Sequence, residues 1–92
     1  MLFQLGQVMQ TRGLYSLLEG NPTRHNEVVE AFNRYTAGDW GNICPDDAEM
    51  NNAAVRTGAD RILAKYTLSF GNIYIITEWD RSYTTIMLCE EY

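Results

Sequence analysis

Two acidic side chains near the C-terminal end of the sequence have the spacing that carboxylate chemistry needs. Glu78 and Asp80 are two residues apart in a β-rich stretch, and residues two apart on a strand point to the same face. Such a pair can transfer protons as general acid and base, or can bind a metal ion. Arg81 follows directly, next to a turn, so we favour a solvated ion-pairing cluster over a small metal-dependent hydrolase.

The other reactive side chains do not form a recognisable catalytic or metal-binding set. Cys44 and Cys89 lie far apart, neither belongs to a Cys-x-x-Cys motif, and His25 is the single histidine, so no zinc site can be assembled. We expect both cysteines to be free thiols, buried or half-buried. No Gly-x-Gly-x-x-Gly or Walker motif is present. The prediction is a protein that is not an enzyme, binds no metal and has no cofactor.

The charge balance limits the partners that the chain can bind. Twelve acidic residues against seven basic ones give a net charge of −5, whereas binding to a nucleic-acid backbone needs clustered Lys and Arg. We therefore expect no direct nucleic-acid binding. An acidic surface can instead steer association with a basic protein surface.

Length and hydropathy predict one domain, residues 1–92, with one core. The apolar content of 46% is ordinary for a globular protein. No run of about 18 apolar residues, as a membrane span requires, is present, and the first residues lack the pattern of a signal peptide. We accordingly predict no membrane association and a cytoplasmic location in a bacterial host cell.

Three helices are predicted before residue 60 from capping residues and apolar spacing. A short one lies between Thr11 and Gly20, a second runs from Asn21-Pro22 to Gly38, and a third from Pro45 to Gly58. Residues 1–10 alternate only weakly between apolar and polar, and they fit either a short edge strand or an irregular segment.

The C-terminal third predicts three antiparallel strands, because runs rich in Ile, Thr, Tyr and Leu are separated by short polar breaks. We place two-residue turns at Gly71-Asn72 and at Arg81-Ser82. The predicted fold class is α+β, with two to three short N-terminal helices packed on one face of a C-terminal three-stranded antiparallel β-meander.

The predicted register gives this meander two different faces. The face toward the helices carries Ile62, Ala64, Tyr66, Leu68, Phe70, Ile73, Ile75, Trp79, Ile86 and Leu88. The outer face is mixed, and carries Tyr74, Ile76, Tyr83 and Met87 beside Glu78 and Asp80. It is either partly covered by the N-terminal segment or used as an interface, and the sequence leaves both open. A three-residue turn at 80–82 would flip the last strand, which the core face disfavours.

Two segments of the chain resemble a group of proteins from mobile genetic elements. They are GDWG at 38–41 and RILAKY…IYIITEWDRSYTTIMLCEEY at 61–92, of which TEWDRS-x-TT is the most distinctive part. Both are similar to small uncharacterised proteins encoded on phages and conjugative elements of Gram-positive and gut bacteria. The resemblance covers roughly the C-terminal half and the preceding loop. It implies a genomic context and assigns no catalytic residue.

Small acidic proteins of mobile elements are often inhibitors of host defence. We therefore expect a non-enzymatic binding protein that blocks a host protein or ribonucleoprotein complex through a basic surface, with an anti-CRISPR or anti-restriction role as one form of this expectation. The alternatives are an accessory or regulatory homodimer of the element without a defence role, and the metal-dependent hydrolase. The predicted partner-binding residues are Asp39, Trp40, Tyr74, Glu78, Asp80, Arg81 and Tyr83.

Overall fold

The structure is a computed structural model and describes residues 2–92. In chain order its elements are β1 (Gln7–Gln10), α1 (Arg12–Leu18), α2 (Pro22–Thr36), α3 (Pro45–Thr57), β2 (Ile62–Leu68), β3 (Gly71–Thr77) and β4 (Tyr83–Leu88), followed by a 3-10 turn at Cys89–Glu91. The α+β class is therefore confirmed. Among the described residues, no helix has the length and apolar character that crossing a bilayer requires.

The helices begin and end where the capping chemistry of the sequence indicates. Thr11 Oγ1 accepts the N–H of Leu14 at 3.4 Å, and Asn21 Oδ1 accepts the N–H of Arg24 at 3.1 Å. Gly58, with φ of +73°, ends α3 in the left-handed conformation that glycine adopts without strain. All three predicted helices are confirmed.

The sheet has four strands in the order β1-β4-β3-β2, and it is mixed. β1 pairs with β4 in parallel, with Gln7 beside Tyr83 and Gln10 beside Ile86, so the predicted three-stranded antiparallel meander is wrong. Four residues are too few for alternation to separate a strand from coil. The strand that completes β1 lies at the other end of the chain, which no local pattern can indicate.

Both predicted turns are misplaced, and in each hairpin the observed pairing register differs from the predicted one by an even number of residues. Leu68 pairs with Gly71, so Ser69 and Phe70 form the β2–β3 turn. The last pair between β3 and β4 is Thr77 with Thr84, which leaves a longer connection than the predicted two residues. An even shift keeps each paired side chain on its predicted face. The assignment of faces along the three C-terminal strands therefore holds.

The hydrophobic core lies between the helices and one face of the sheet, as predicted. Its buried sheet residues are Ile62, Ala64, Tyr66, Ile73, Ile75, Ile86 and Leu88, and the helices contribute Leu14, Leu18, Val28, Ala31, Tyr35 and Ala54. Phe3 enters this core from the N-terminal segment, with its ring centroid 5.3 Å from that of Tyr35. That segment consequently packs on the core side, and the alternative in which it covers the outer face is wrong.

A chain of hydroxyl groups crosses the buried core. Thr84 Oγ1 donates to the Leu5 carbonyl at 2.7 Å and lies 2.7 Å from Thr77 Oγ1. Thr77 therefore donates to Thr84, and the Tyr35 hydroxyl, 2.6 Å away, donates to Thr77. Burial, partly offset by this hydrogen bond, raises the pKa of Tyr35 well above its ordinary value. The chain joins α2, β3, β4 and the N-terminal segment.

The outer edge of β2 is closed by other parts of the chain. The Lys65 carbonyl accepts the N–H of Asn42 at 2.6 Å, and the Lys65 N–H donates to the Trp40 carbonyl at 3.3 Å. The Asn51 side chain bonds both peptide groups of Leu63, donating to the carbonyl at 2.8 Å and accepting from the N–H at 3.2 Å. A short loop and one buried amide thus occupy the place of a further strand.

Candidate functional site

The connection between β3 and β4 is a tight, ordered turn, here named the Trp79 loop (residues 78–82). Glu78 N–H donates to the Tyr83 carbonyl at 3.0 Å, and Arg81 N–H donates back to the Glu78 carbonyl at 2.9 Å. Arg81 has φ of +60°, in the left-handed region that few residues other than glycine adopt. A non-glycine residue held there indicates that other contacts fix the loop.

The Arg81 guanidinium supplies those contacts by donating only to backbone carbonyls. Nη1 lies 2.7 Å from the carbonyl of Asp60, 3.0 Å from that of Glu78 and 3.2 Å from that of Trp79. Nη2 lies 3.1 Å from the carbonyl of Ala54 in the last turn of α3, where the helix dipole favours a cation. Arg81 therefore joins the loop to the end of α3 and to the start of β2.

Two further contacts brace the same loop. Asp80 Oδ1 accepts the N–H of Ser82 at 3.0 Å and its hydroxyl at 2.6 Å, and these bonds hold the pKa of the Asp80 carboxyl below its ordinary value. Gly6 packs so closely against the loop that a Cβ atom at this position would clash with the backbone of Arg81 and Ser82. The loop is thus fixed by its own side chains and by the lead into β1.

Trp79 is the residue that this rigid loop presents to solvent. Its exposed fraction is 67%, although the sequence predicted it on the core face. That prediction is wrong because β3 ends at Thr77 and the chain leaves the sheet before residue 79. Polar neighbours on both sides are also what a core residue on an alternating strand has, so Glu78 and Asp80 give no local signal that Trp79 is exposed.

Four of the predicted partner-binding residues come together at this end of the sheet. Glu78, Asp80 and Arg81 belong to the loop, and Tyr83 begins the strand that leaves it. Glu78 and Asp80 do not share a strand face, because both follow the end of β3. The geometric basis for treating them as a catalytic carboxylate pair is therefore wrong.

A cavity of mixed charge adjoins the loop. Asp60, whose carbonyl binds Arg81, also lines a cavity of about 350 Å³ together with Asp47, Met50 and Arg61. Within residues 2–92 no group of three or more His, Cys, Asp or Glu side chains is placed to hold a metal ion.

Asp39 and Trp40 lie elsewhere, beside the edge of β2, and have structural contacts. Trp40 is buried, with 6% exposed, and its Nε1 donates to Asn52 Oδ1 at 2.9 Å, so it is not available as a surface anchor. Asp39 forms an ion pair with Arg34 at 2.8 Å. Hydrogen bonding from Arg34 lowers the pKa of the Asp39 carboxyl. Both residues fix the loop that closes β2.

Tyr74 lies on the outer sheet face, where the C-terminal residues cover part of the surface. The ring of Tyr92 packs edge-on against Tyr74, with centroids 5.3 Å apart, and Arg61 Nη1 donates to the Tyr92 hydroxyl at 2.8 Å. Ile76, on the same strand face as Tyr74, is buried. The outer face is therefore partly covered, by Tyr92 rather than by the N-terminal segment.

The thiols and the histidine do not approach the Trp79 loop. Cys44 is free and exposed, so the prediction that it is buried or half-buried is wrong, and Cys89 is free and half-buried as predicted. Burial raises the pKa of the Cys89 thiol, and Lys65 opposes that effect. His25 is exposed in the first turn of α2.

Comparison with known proteins adds no functional information for this site. No protein-family model matches the chain, and no curated protein or solved structure is significantly similar to it. The function must therefore be inferred from the geometry.

Proposed function

We propose that this chain is a small acidic binding protein, without catalytic activity, that acts by protein–protein contact through the Trp79 loop. The observation that carries the proposal is an exposed tryptophan on a loop whose arginine donates to four backbone carbonyls. Transfer of an exposed aromatic side chain from water into an apolar interface is favourable, and tryptophan is among the residues enriched at the hot spots of interfaces.

The rigidity of the loop favours tight binding. A partner that covers Trp79 does not have to order the backbone around it, because Arg81 and Asp80 already fix the turn. The cost of ordering loops and side chains on association is one of the main terms that reduce affinity. Burial of the indole can remove as much as about 150–250 Å² of surface from water.

The charges around the tryptophan indicate the kind of surface that it binds. Glu78 and Asp80 flank Trp79 directly. The one cation of the loop, Arg81, directs its guanidinium to carbonyl oxygens. A partner with an apolar pocket and a basic rim is complementary to this arrangement, and its association rate should fall as salt concentration rises.

The sequence resemblance suggests which partners to test first. Proteins of phages and conjugative elements meet the defence proteins of their hosts, and nucleases and ribonucleoprotein complexes that bind nucleic acids carry basic surfaces. We therefore take the target to be a basic host protein or ribonucleoprotein complex, with a defence nuclease complex as the first candidate.

The test uses purified chain as bait in host lysate, with Trp79→Ala and Tyr15→Ala as matched variants. Tyr15 is an exposed aromatic residue on α1, with 53% of its surface exposed, and lies outside the loop. A partner identified in lysate is then purified, and its affinity for each variant is measured by calorimetry. Trp79→Ala should weaken binding at least about 30-fold, the equivalent of the 2 kcal/mol of a hot-spot residue.

The biological arm measures transformation of a host by a plasmid that its defence system restricts or cleaves. Wild-type chain and Tyr15→Ala should raise the transformation efficiency, whereas Trp79→Ala should not. Binding that is equal for Trp79→Ala and Tyr15→Ala would contradict the role of the loop. Binding without any effect on transformation would contradict the defence target and leave the binding site intact.

A further inference from the structure

One edge of the sheet is open. β1 is the outermost strand, and all four of its residues are exposed. In a parallel pair, every second residue directs both its N–H and its C=O toward the neighbouring strand. Gln7 and Thr11 donate to carbonyls of the β4 side at 3.1 Å, so the odd-numbered residues face β4. The N–H and C=O groups of Val8 and Gln10 therefore point away from the sheet.

This edge is short, which by itself limits pairing, but it lacks the other features by which proteins protect a free strand. Lysines, prolines, bulges or a covering segment normally prevent edge-to-edge pairing. Residues 2–11 contain no charged residue and no proline, and within residues 2–92 no segment pairs with the outer side of β1. The opposite edge, at β2, is closed by residues 40–42 and by the Asn51 side chain.

We propose that two copies of this chain associate through β1, paired antiparallel about a two-fold axis at Met9, so that the two four-stranded sheets become one continuous sheet. This register places Val8 of each copy opposite Gln10 of the other. One N–H and one C=O on each of these two residues then find partners, so all four outward groups of each copy are hydrogen-bonded. With the axis at Val8 or at Gln10, only one of these two residues would pair with its own equivalent, and the outward N–H and C=O groups of the other would have no partner within β1.

The composition of the strand fits a second copy of the same chain. Two chains that each carry a net charge of −5 repel each other, and they can meet most easily where neither has a charge. Met9 pairs with Thr85 and hence lies on the outer face, with 39% of its surface exposed. Across the axis it would face its own equivalent, at the separation of about 4.5 Å between Cα atoms that a non-hydrogen-bonded pair has.

The closed edge at β2 limits the assembly to two copies. Within residues 2–92 each copy offers one open edge, and pairing occupies it, so the contact is isologous and does not propagate into a fibre. The antiparallel arrangement also places the two Trp79 loops at opposite ends of the continuous sheet, since each loop adjoins the Gln7 end of its own β1. The dimer does not rest on the proposed binding role, and it leaves both loops accessible.

The test is sedimentation of the full chain from about 10 µM to about 1 mM, a range suited to an interface at the small end of the known sizes. Wild-type mass should rise from 10.5 kDa toward twice that value. Met9→Lys and Met9→Glu each place like charges opposite each other, and each should weaken dimerisation at least about ten-fold. Met50→Lys, at a methionine on α3 that is 68% exposed, is the control and should dimerise as wild type does.

Mixing the two Met9 variants tests the register. An equimolar mixture of Met9→Lys and Met9→Glu pairs opposite charges and should restore the dimer, because residue 9 faces residue 9 only if the axis lies there. Circular dichroism of each variant alone verifies that it is folded. A wild type that stays monomeric, a Met50→Lys variant weakened as much as Met9→Lys, or a mixture of folded variants that does not dimerise would each overturn the proposal.

Discussion

Replacement of Arg81 by asparagine tests whether the guanidinium fixes the Trp79 loop. Asparagine tolerates the left-handed backbone conformation at this position, where φ is +60°. The change therefore removes the hydrogen bonds without straining the turn. Nη1 has two protons for the three carbonyls within 3.2 Å, and Nη2 adds the Ala54 carbonyl, so about three hydrogen bonds are lost at any time.

The expected loss of stability follows from those bonds. A hydrogen bond to a charged group contributes about 1.5–3 kcal/mol, but Arg81 is only half-buried and water can replace it at the exposed carbonyls. About 0.7 kcal/mol for each of three bonds gives a loss near 2 kcal/mol. For a domain of this size, that loss lowers the midpoint of thermal unfolding by about 10 °C.

The assay is thermal and urea unfolding of Arg81→Asn beside Arg56→Asn. Arg56 lies in the last turn of α3 and makes one exposed ion pair, 3.5 Å from Glu49, so its replacement should cost less than about 1 kcal/mol. Nitrogen-15 relaxation of the Trp79 indole should also show greater mobility in Arg81→Asn. Equal unfolding midpoints for both variants, with an unchanged indole, would refute the idea that Arg81 holds the loop.

Three further predictions concern the core, the pH dependence and a close backbone contact. Thr77→Val should lower the free energy of unfolding by about 0.5–1.5 kcal/mol, because the buried Tyr35 hydroxyl loses its partner at 2.6 Å and keeps only the longer contact of 3.3 Å to the Ile62 carbonyl; Thr77→Ser, which keeps the hydroxyl, should cost less in the same urea titration. Hydrogen bonds from Ser69 in the β2–β3 turn lower the pKa of Glu27 from its ordinary value of 4.5. These bonds therefore contribute fully to stability above pH 4.5, and the contribution is lost as the pH falls through the lowered pKa of the folded state. Glu27→Gln should therefore flatten the loss of stability as the pH falls below 4.5, and an unchanged slope would contradict the linkage. Gly41→Ala should lower the melting temperature more than Gly20→Ala, because both glycines have positive φ but only at Gly41 would a Cβ meet the backbone of β2.

The parts of the fold that local chemistry determines could be predicted from the sequence. The three helices begin at residues with capping side chains or proline and end at glycines, and each of these signals lies within a few residues of the boundary that it marks. The alternation of the C-terminal strands likewise identified the core face, because that property survives an even shift of register.

The parts that failed depend on contacts between distant segments. β1 is a strand only because β4 is beside it, and its four residues carry no periodic signal. The predicted two-residue turn places Trp79 in the core because it is too short, and the contacts that hold the real loop come from Gly6, Ala54 and Asp60. Trp40 was expected at the surface because glycines near it indicate a loop, yet its indole points inward.

The parallel pairing of β1 with β4 also affects how the chain is made. Residue 7 finds its partner only at residue 83, so a nascent chain must hold its first segment unpaired until almost the whole sequence has left the ribosome. Contacts of such long sequence separation slow folding, because the entropy of closing the intervening loop is lost before the strand pairing stabilises the structure. Once β4 has emerged and before β1 pairs with it, the β2–β3–β4 hairpins present β4 as a free edge, and the apolar residues Phe3 and Leu5 stay in water. Synthesis of this chain should therefore pass through a late, short-lived and association-prone stage.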